Sequence, residues 1–404
     1  MDGAAEHRWP CARCGAPLRF EPGATELRCP FCGHVQAIAP SAGRTARRAL
    51  GELPLDAGLR DDLPEGMVEP VRSTRCPSCG ATVEAKGAEF ALPCPFCASP
   101  VVIDAGDVRR IRPQALIPFA LTEDQARDAL TRWLGGLWFA PNALLQYTRA
   151  GRAMAGLYVP FWTFDADTRT TYSGQRGDHW YETRMVTVNV GGRMQQQARQ
   201  VRHTRWTPAR GQVARGFDDV LVTASAGLPQ GLGDALTPWD LGALVPYSPD
   251  YLAGFRAEGY TISLRDGHAA ARERMAQIIA GDVRRAIGGD EQRMIRSDTD
   301  WSGETFKHIL LPVWMAAYRY GGKSYRFLVN GQTGEVQGER PYSAWKIAFA
   351  GLAAALLALA LVYLRDPAAL GLPVPGWMTW VEPGAPSGWR APAPPGDGPG
   401  WLRE

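Results

Sequence analysis

The chain's eight cysteines all fall in two stretches, CARCGAPLRFEPGATELRCPFC at residues 11–32 and CPSCGATVEAKGAEFALPCPFC at residues 76–97. Cys11, Cys14, Cys29 and Cys32 have the same spacing as Cys76, Cys79, Cys94 and Cys97. A Cys-x-x-Cys pair sets two thiolates on one tight turn, and a β-hairpin brings a second such turn opposite it. Four sulfurs then converge tetrahedrally at about 2.3 Å from one metal ion. Gly15, Gly33 and Gly80 follow the second cysteine of their pairs, where positive φ or close backbone approach favours glycine. Pro30, Pro77 and Pro95 sit between paired cysteines and stiffen the turns.

The competing arrangement is a disulfide framework in a secreted protein. The knuckle spacing, and the expectation that no signal peptide opens the chain, favour metal. The reading is two structural zinc ions, with iron as the alternative metal. A closed four-thiolate site keeps no position for water or substrate, so the expected role is structural. Reduced thiolates place this end of the chain in the cytoplasm.

With 404 residues and a net charge of +3, the chain is long enough to bury a sizeable core and to form more than one domain. One late stretch departs from the soluble pattern, WKIAFAGLAAALLALALVYLRDP. Ile347 to Leu364 run without a charge, and Lys346 and Arg365 bracket them. Trp345 and Tyr363 stand where interfacial aromatics sit, and the run covers roughly 27 Å as a helix, close to the thickness of a bilayer's hydrocarbon. A buried core helix would keep some polar face, and this one has none. The expectation is a single transmembrane helix over 344–365. Arg326, Arg340 and Lys346 precede it and Arg365 alone follows nearby, which puts the N-terminal side in the cytoplasm. Residues 366–404 are rich in Pro, Gly and Trp and read as a disordered tail on the outer side.

Between cysteines and span, the pattern predicts an α+β domain with a mainly antiparallel sheet over 105–343. Thr122 with Gln125 forms a capping box opening a helix to about residue 134. Strands begin near Gly156, and GLYVPFWTFD and LLPVWMAAYRY read either as a repeat or as two edge strands using proline to blunt pairing. Asp266 is read as the cap of a helix through GHAAARERMAQIIAGDVRRAI. NGQTGEV at 330–336 reads as a hairpin turn whose glycines supply positive φ. The remaining boundaries are ribbon one at 1–39, a linker at 40–71 and ribbon two at 72–104.

Catalytic patterns are missing. YGGKSY at 320–325 has Ala317 where a phosphate-binding loop needs glycine, and it reads as a hairpin. The six histidines form no metal-helix pattern, no Gly-x-Ser-x-Gly elbow occurs, and Asp178, His179 and Glu182 read as a solvated strand rather than a polar site. The expectation is a protein without catalytic activity. Between Thr168 and Arg215, nine arginines stand against two acids, Asp178 and Glu182, and Arg199, Arg202 and Arg205 are the candidate contacts to an anionic partner. Nucleic acid, anionic lipid headgroups, an acidic protein, or solvated strand faces paired with acids elsewhere all fit that charge. Both cysteine ribbons are charge-balanced, so they are poorly suited to neutralise phosphates themselves.

The two CxxCG…CPFC units, with LIPFALT, GLYVPFWTFD, YLAGFRAEGY, LLPVWMAAYRY and FLVNGQTGEVQGERP, resemble a family of bacterial zinc-ribbon membrane proteins. Its members are described as carrying a zinc ribbon of the transcription-factor-IIB type and are often labelled relatives of the primosomal helicase, replication factor Y. The resemblance covers about residues 1 to 365. It implies partnership with flotillin-like and phage-shock proteins at the membrane, hence an adaptor. The alternative, implied by the helicase label, is a nucleic-acid-associated protein using the arginine-rich 169–215 segment.

Overall fold

Three long strands form a spine, and shorter elements lie against it. The computed structural model describes residues 9–38, 50–78, 82–85, 91–93, 99–102, 107–138, 154–190, 193–228, 230–320, 323–339 and 344–365. The chain divides into two units, Met1–Pro341 and Tyr342–Glu404.

In the first unit the amino-terminal ribbon holds β1 (Arg19–Phe20), β2 (Glu26–Arg28) and β3 (Val35–Ala37), and β4 (Leu53–Pro54) and helix α1 (Leu55–Leu59) follow. The second cysteine stretch contains β6 (Thr82–Ala85) and β7 (Ala91–Pro93) and is flanked by β5 (Val68–Arg75) and β8 (Pro100–Val102), and β9 (Asp107–Ile111) pairs back on β5. Then come β10 (Ala115–Leu116), helix α2 (Glu123–Gly135) and the long strands β11 (Ala155–Val190) and β12 (Arg193–Thr223). Helix α3 (Gln230–Ala235), β13 (Val245–Pro246), β14 (Arg256–Ala257) and helix α4 (Leu264–Ile287) lead to the third long strand, β15 (Glu291–Tyr320). β16 (Lys323–Asn330) and β17 (Val336–Gly338) close the unit.

The main sheet runs β12-β11-β15-β10-β13, with β11 antiparallel to both long neighbours and β10 parallel to β15. The fold is mixed α+β with strands predominating. Helix α4 lies on the sheet through Leu264, Gly267, Ala271, Met275, Ile279, Val283 and Ile287, a stripe at three- and four-residue spacing. It starts earlier than the sequence suggests. Ser263 is the cap, accepting from the Asp266 amide at 3.1 Å, so Asp266 lies in the first turn, at the positive end of the dipole. The capping box at Thr122 and Gln125 is present.

The two proline-bearing strands are central, not edges. Pro160 in β11 and Pro312 in β15 each sit where a neighbouring strand has just ended. The Pro160 carbonyl accepts from Ala224, one residue past β12, and the Pro312 carbonyl accepts from Gly331, one residue past β16. The missing N–H therefore falls at the end of a ladder, where it costs little. Residues 40–71, read as a linker, are built into the body where described. β4 pairs with β15 at Thr305 and Phe306, and Leu55 is buried.

The 330–336 turn also departs from expectation. Gly334 has φ 81°, but Gly331 is needed for space, since a Cβ there would lie 2.7 Å from the Phe119 ring and 2.8 Å from the Pro312 carbonyl. Gly331→Ala is expected to lower stability by about 1–3 kcal/mol through this overpacking, read as a shift of the denaturant midpoint with unchanged slope.

In the second unit, helix α5 (Ala344–Arg365) exposes Leu352, Leu356, Leu357, Leu359 and Leu361. Its segment Trp345–Val362 is long and apolar enough to cross a membrane.

Candidate metal centre

The first ribbon places its sulfurs with two copies of one turn. Cys11 N–H donates to the Ala16 carbonyl at 2.7 Å and Gly15 N–H to the Cys11 carbonyl at 2.8 Å. Cys29 N–H donates to the His34 carbonyl at 2.8 Å and Gly33 N–H to the Cys29 carbonyl at 3.0 Å. Both turns close through a left-handed glycine, Gly15 at φ 75° and Gly33 at φ 70°.

The four sulfurs lie within 4.8 Å of one another, with Cys11–Cys32 at 3.6 Å and Cys14–Cys29 at 3.5 Å. Ligand sulfurs on a zinc tetrahedron are about 3.8 Å apart, so Cys11, Cys14, Cys29 and Cys32 fit one ion. The Cys32 backbone N–H, helped by that of Phe31, holds the Cys29 thiol down at about 6. The Ala16 N–H favours the Cys14 thiolate, yet the sulfurs of Cys32, Cys29 and Cys11 push that thiol up to about 12. Four thiolates this close need a cation to ionise together. A bound zinc ion would supply that charge and fix the two turns.

The ribbon is fastened to the body. Phe20 N–H donates to the Ala253 carbonyl and Gly23 N–H to that of Phe119, both at 2.8 Å, and Trp9 Nε1 donates to Asp250 at 2.8 Å. The Phe20 ring meets Tyr251 edge-on at 5.3 Å, and Phe119 stacks on Phe255 at 4.2 Å. Leu18, Phe20 and Leu27 share one hydrophobic cluster with Phe119, Tyr158 and Trp314. Phe31, between Cys29 and Cys32, is 77% exposed. In the second cysteine stretch, Cys76 is buried with Val101, Ala115 and Ile117. Cys79, Cys94 and Cys97 lie outside the described residues.

The arginine trio is divided by the sheet. Arg199 and Arg205 sit opposite Arg184 and Asp178, whereas Arg202 sits opposite Tyr181, so a spacing of three puts Arg202 on the other face. Alternation also parts His179 from Asp178 and Glu182. His179 meets Glu291 at 2.7 Å, Asp178 pairs with Arg176, and Glu182 pairs with Arg184 and His203. No polar site assembles from those three.

One cluster has no counterpart among the sequence motifs. Glu52, Asp165 and Asp218 bring carboxylate oxygens within 4.8 Å of one another. The Lys307 ammonium, on a residue only 7% exposed, reaches Asp219 at 2.9 Å and Glu52 at 3.2 Å. Thr305 donates to Glu52 at 2.7 Å and lies 3.1 Å from Asp165. Asp219 adopts φ 52° beside the bulge at Phe164–Ala166 and donates its N–H to Asp165. The only sequence signal was charge interrupting apolar strands, in FDADT and GFDDVLV.

Fold and site together define a class: a mostly stranded α+β protein with a four-cysteine ribbon docked on its sheet and one helix long and apolar enough to span a membrane. The chain is similar to the uncharacterized protein YdjG of Bacillus subtilis (strain 168), with 27% identity over 258 residues, 63% of this chain and 72% of that protein. No family model matches the chain, and no solved structure matches it significantly.

Proposed function

We propose that this protein is a membrane-anchored double zinc-ribbon adaptor without catalytic activity, holding cytoplasmic proteins at the cell inner membrane. In this reading helix α5 is the single span, the N-terminal unit is cytoplasmic and the tail lies outside. A second structural zinc ion is held by Cys76, Cys79, Cys94 and Cys97. Its partners are flotillin-like or phage-shock proteins.

The observation that carries the adaptor reading is Phe31. A large apolar side chain stands in solvent at the tip of a turn that four sulfurs can fix, while the opposite side of the ribbon is occupied by the body. Apolar anchors on rigid supports are what protein partners bury. A nucleic-acid face is the weaker reading, because Arg202 stands on the opposite side of the sheet from Arg199 and Arg205 and the one indole beside those two, Trp180, is already stacked on His203.

Capture from detergent-solubilised membranes is expected to recover a flotillin-like or phage-shock protein with the wild type. Phe31→Ala is expected to lower that recovery about tenfold or more, since anchor residues contribute on the order of 2 kcal/mol, while metal content stays the same. Equal recovery by both proteins, or recovery of neither partner, would count against the adaptor.

A further inference from the structure

Beyond Gly177, which pairs with Glu291 at the start of β15, β11 and β12 continue with no third strand among the described residues. Asp178–Val190 and Arg193–Arg205 form a two-stranded arm that projects roughly 40 Å. Residues 183–205 contain five arginines and no aspartate or glutamate. Register and alternation put Arg184, Arg193, Arg199 and Arg205 on one face with Val186 and Val188 between them. Arg184 and Arg199 are directly opposite each other, a like-charge pairing that strands ordinarily avoid. Among the described residues, Arg193, Arg199, Arg202 and Arg205 make no ion pair with a carboxylate.

We propose that this arm is a lipid-binding element that lays its Arg184–Arg193–Arg199–Arg205 face on the anionic headgroups of the bilayer. Guanidinium groups pair with lipid phosphates through two parallel hydrogen bonds, and Val186 and Val188 between them sink toward the glycerol level. The face interleaves arginine with aliphatic groups, which match an interface that is charged outside and apolar beneath. Aromatic platforms for stacking bases are absent from it beyond Trp180, which is already stacked on His203 at the arm's base. The inference rests on helix α5 being a membrane span, because a chain tethered to lipid keeps its basic arm at high effective concentration near headgroups. Each arginine near such a surface strengthens attachment about fivefold.

The test uses the full-length protein in nanodiscs of phosphatidylcholine alone or with about one-third phosphatidylglycerol, with amide hydrogen exchange followed across 183–190 and 193–205. The expected result is exchange about tenfold slower in the anionic discs, lost on raising salt from about 50 to 500 mM. The combined variant Arg184→Gln, Arg193→Gln, Arg199→Gln and Arg205→Gln is expected to lose the difference while keeping its zinc and the protection of the central sheet. Exchange independent of lipid charge overturns the proposal. So does protection that appears only with added duplex DNA or RNA, or that grows with protein concentration in neutral discs as two copies pair along β11. A protein that never enters the discs overturns the membrane span and this proposal with it, whereas entry with lipid-independent exchange overturns the arm alone.

Discussion

Cys29→Ser is expected to remove about one metal ion per chain and to unfold the amino-terminal ribbon, because zinc binding supplies about 10–16 kcal/mol to units this small. The serine hydroxyl is a far weaker zinc ligand than a thiolate, and Cys11, Cys14 and Cys32 are left with a vacant vertex. The effect is expected to pass into the body. Phe20 and Leu27 are buried in a cluster with Phe119 and Trp314, and each uncovered side chain forfeits about 1.5–3 kcal/mol. The amides of Phe20 and Gly23, which donate to Ala253 and Phe119, report the docking directly. In the variant, and in wild type stripped by a chelator, both amides are expected to exchange as freely as an unfolded chain. Metal analysis and hydrogen exchange on one sample check this. Unchanged zinc, or amides that stay protected without it, would show that apolar contacts alone hold the ribbon.

The reason this site was readable from sequence is that its information is local. Ligand pairs two residues apart, followed by glycines that must turn left-handed, specify a knuckle without reference to the rest of the chain. The capping box at Thr122 and the uncharged run in helix α5 are legible for the same reason. The spine was not. β11 passes through Gly174 and Gly177, and β12 through Pro208 opposite Gln175, residues that normally end or demote a strand. They are tolerated because the sheet uses them: a Cβ on Gly177 would lie 3.0 Å from the Trp206 ring. The split of Arg199, Arg202 and Arg205 was visible in principle, since a step of three reverses the face of a strand, but only once that segment was known to be one uninterrupted strand. Lys307 and its acids come from positions 52, 165, 218, 219 and 307, and nothing local at any of them predicts the others.

Lys307→Met tests that long-range cluster and carries the second large effect. Methionine keeps the volume and removes the cation that β15 supplies, leaving Asp165 of β11, Asp219 of β12 and Glu52, just before β4, facing one another. Removing one partner of a fully buried ion pair costs about 3–5 kcal/mol, and with Glu52 37% and Asp219 24% exposed the loss here is expected at about 2–3 kcal/mol. The loss is expected to depend on pH in a particular direction. Burial first, and then Glu52 alongside, raises the Asp165 carboxyl from 3.8 to about 6, while the charge of Lys307 holds it down. A carboxyl raised in the folded state contributes stability that is fully present below 3.8 and is lost as pH rises through about 6. Without Lys307 that carboxyl rises further, so protonation relieves the variant more than the wild type. The gap between the two proteins is expected to be widest near pH 8 and to narrow by about 1 kcal/mol by pH 5, since a tenfold change in proton affinity corresponds to about 1.4 kcal/mol and water screens part of it. Denaturant titrations of both proteins at the two pH values measure it. A gap that is constant with pH would mean that Lys307 acts through its packing rather than its charge, and a gap below about 1 kcal/mol at both values would put the cluster among ordinary surface ion pairs.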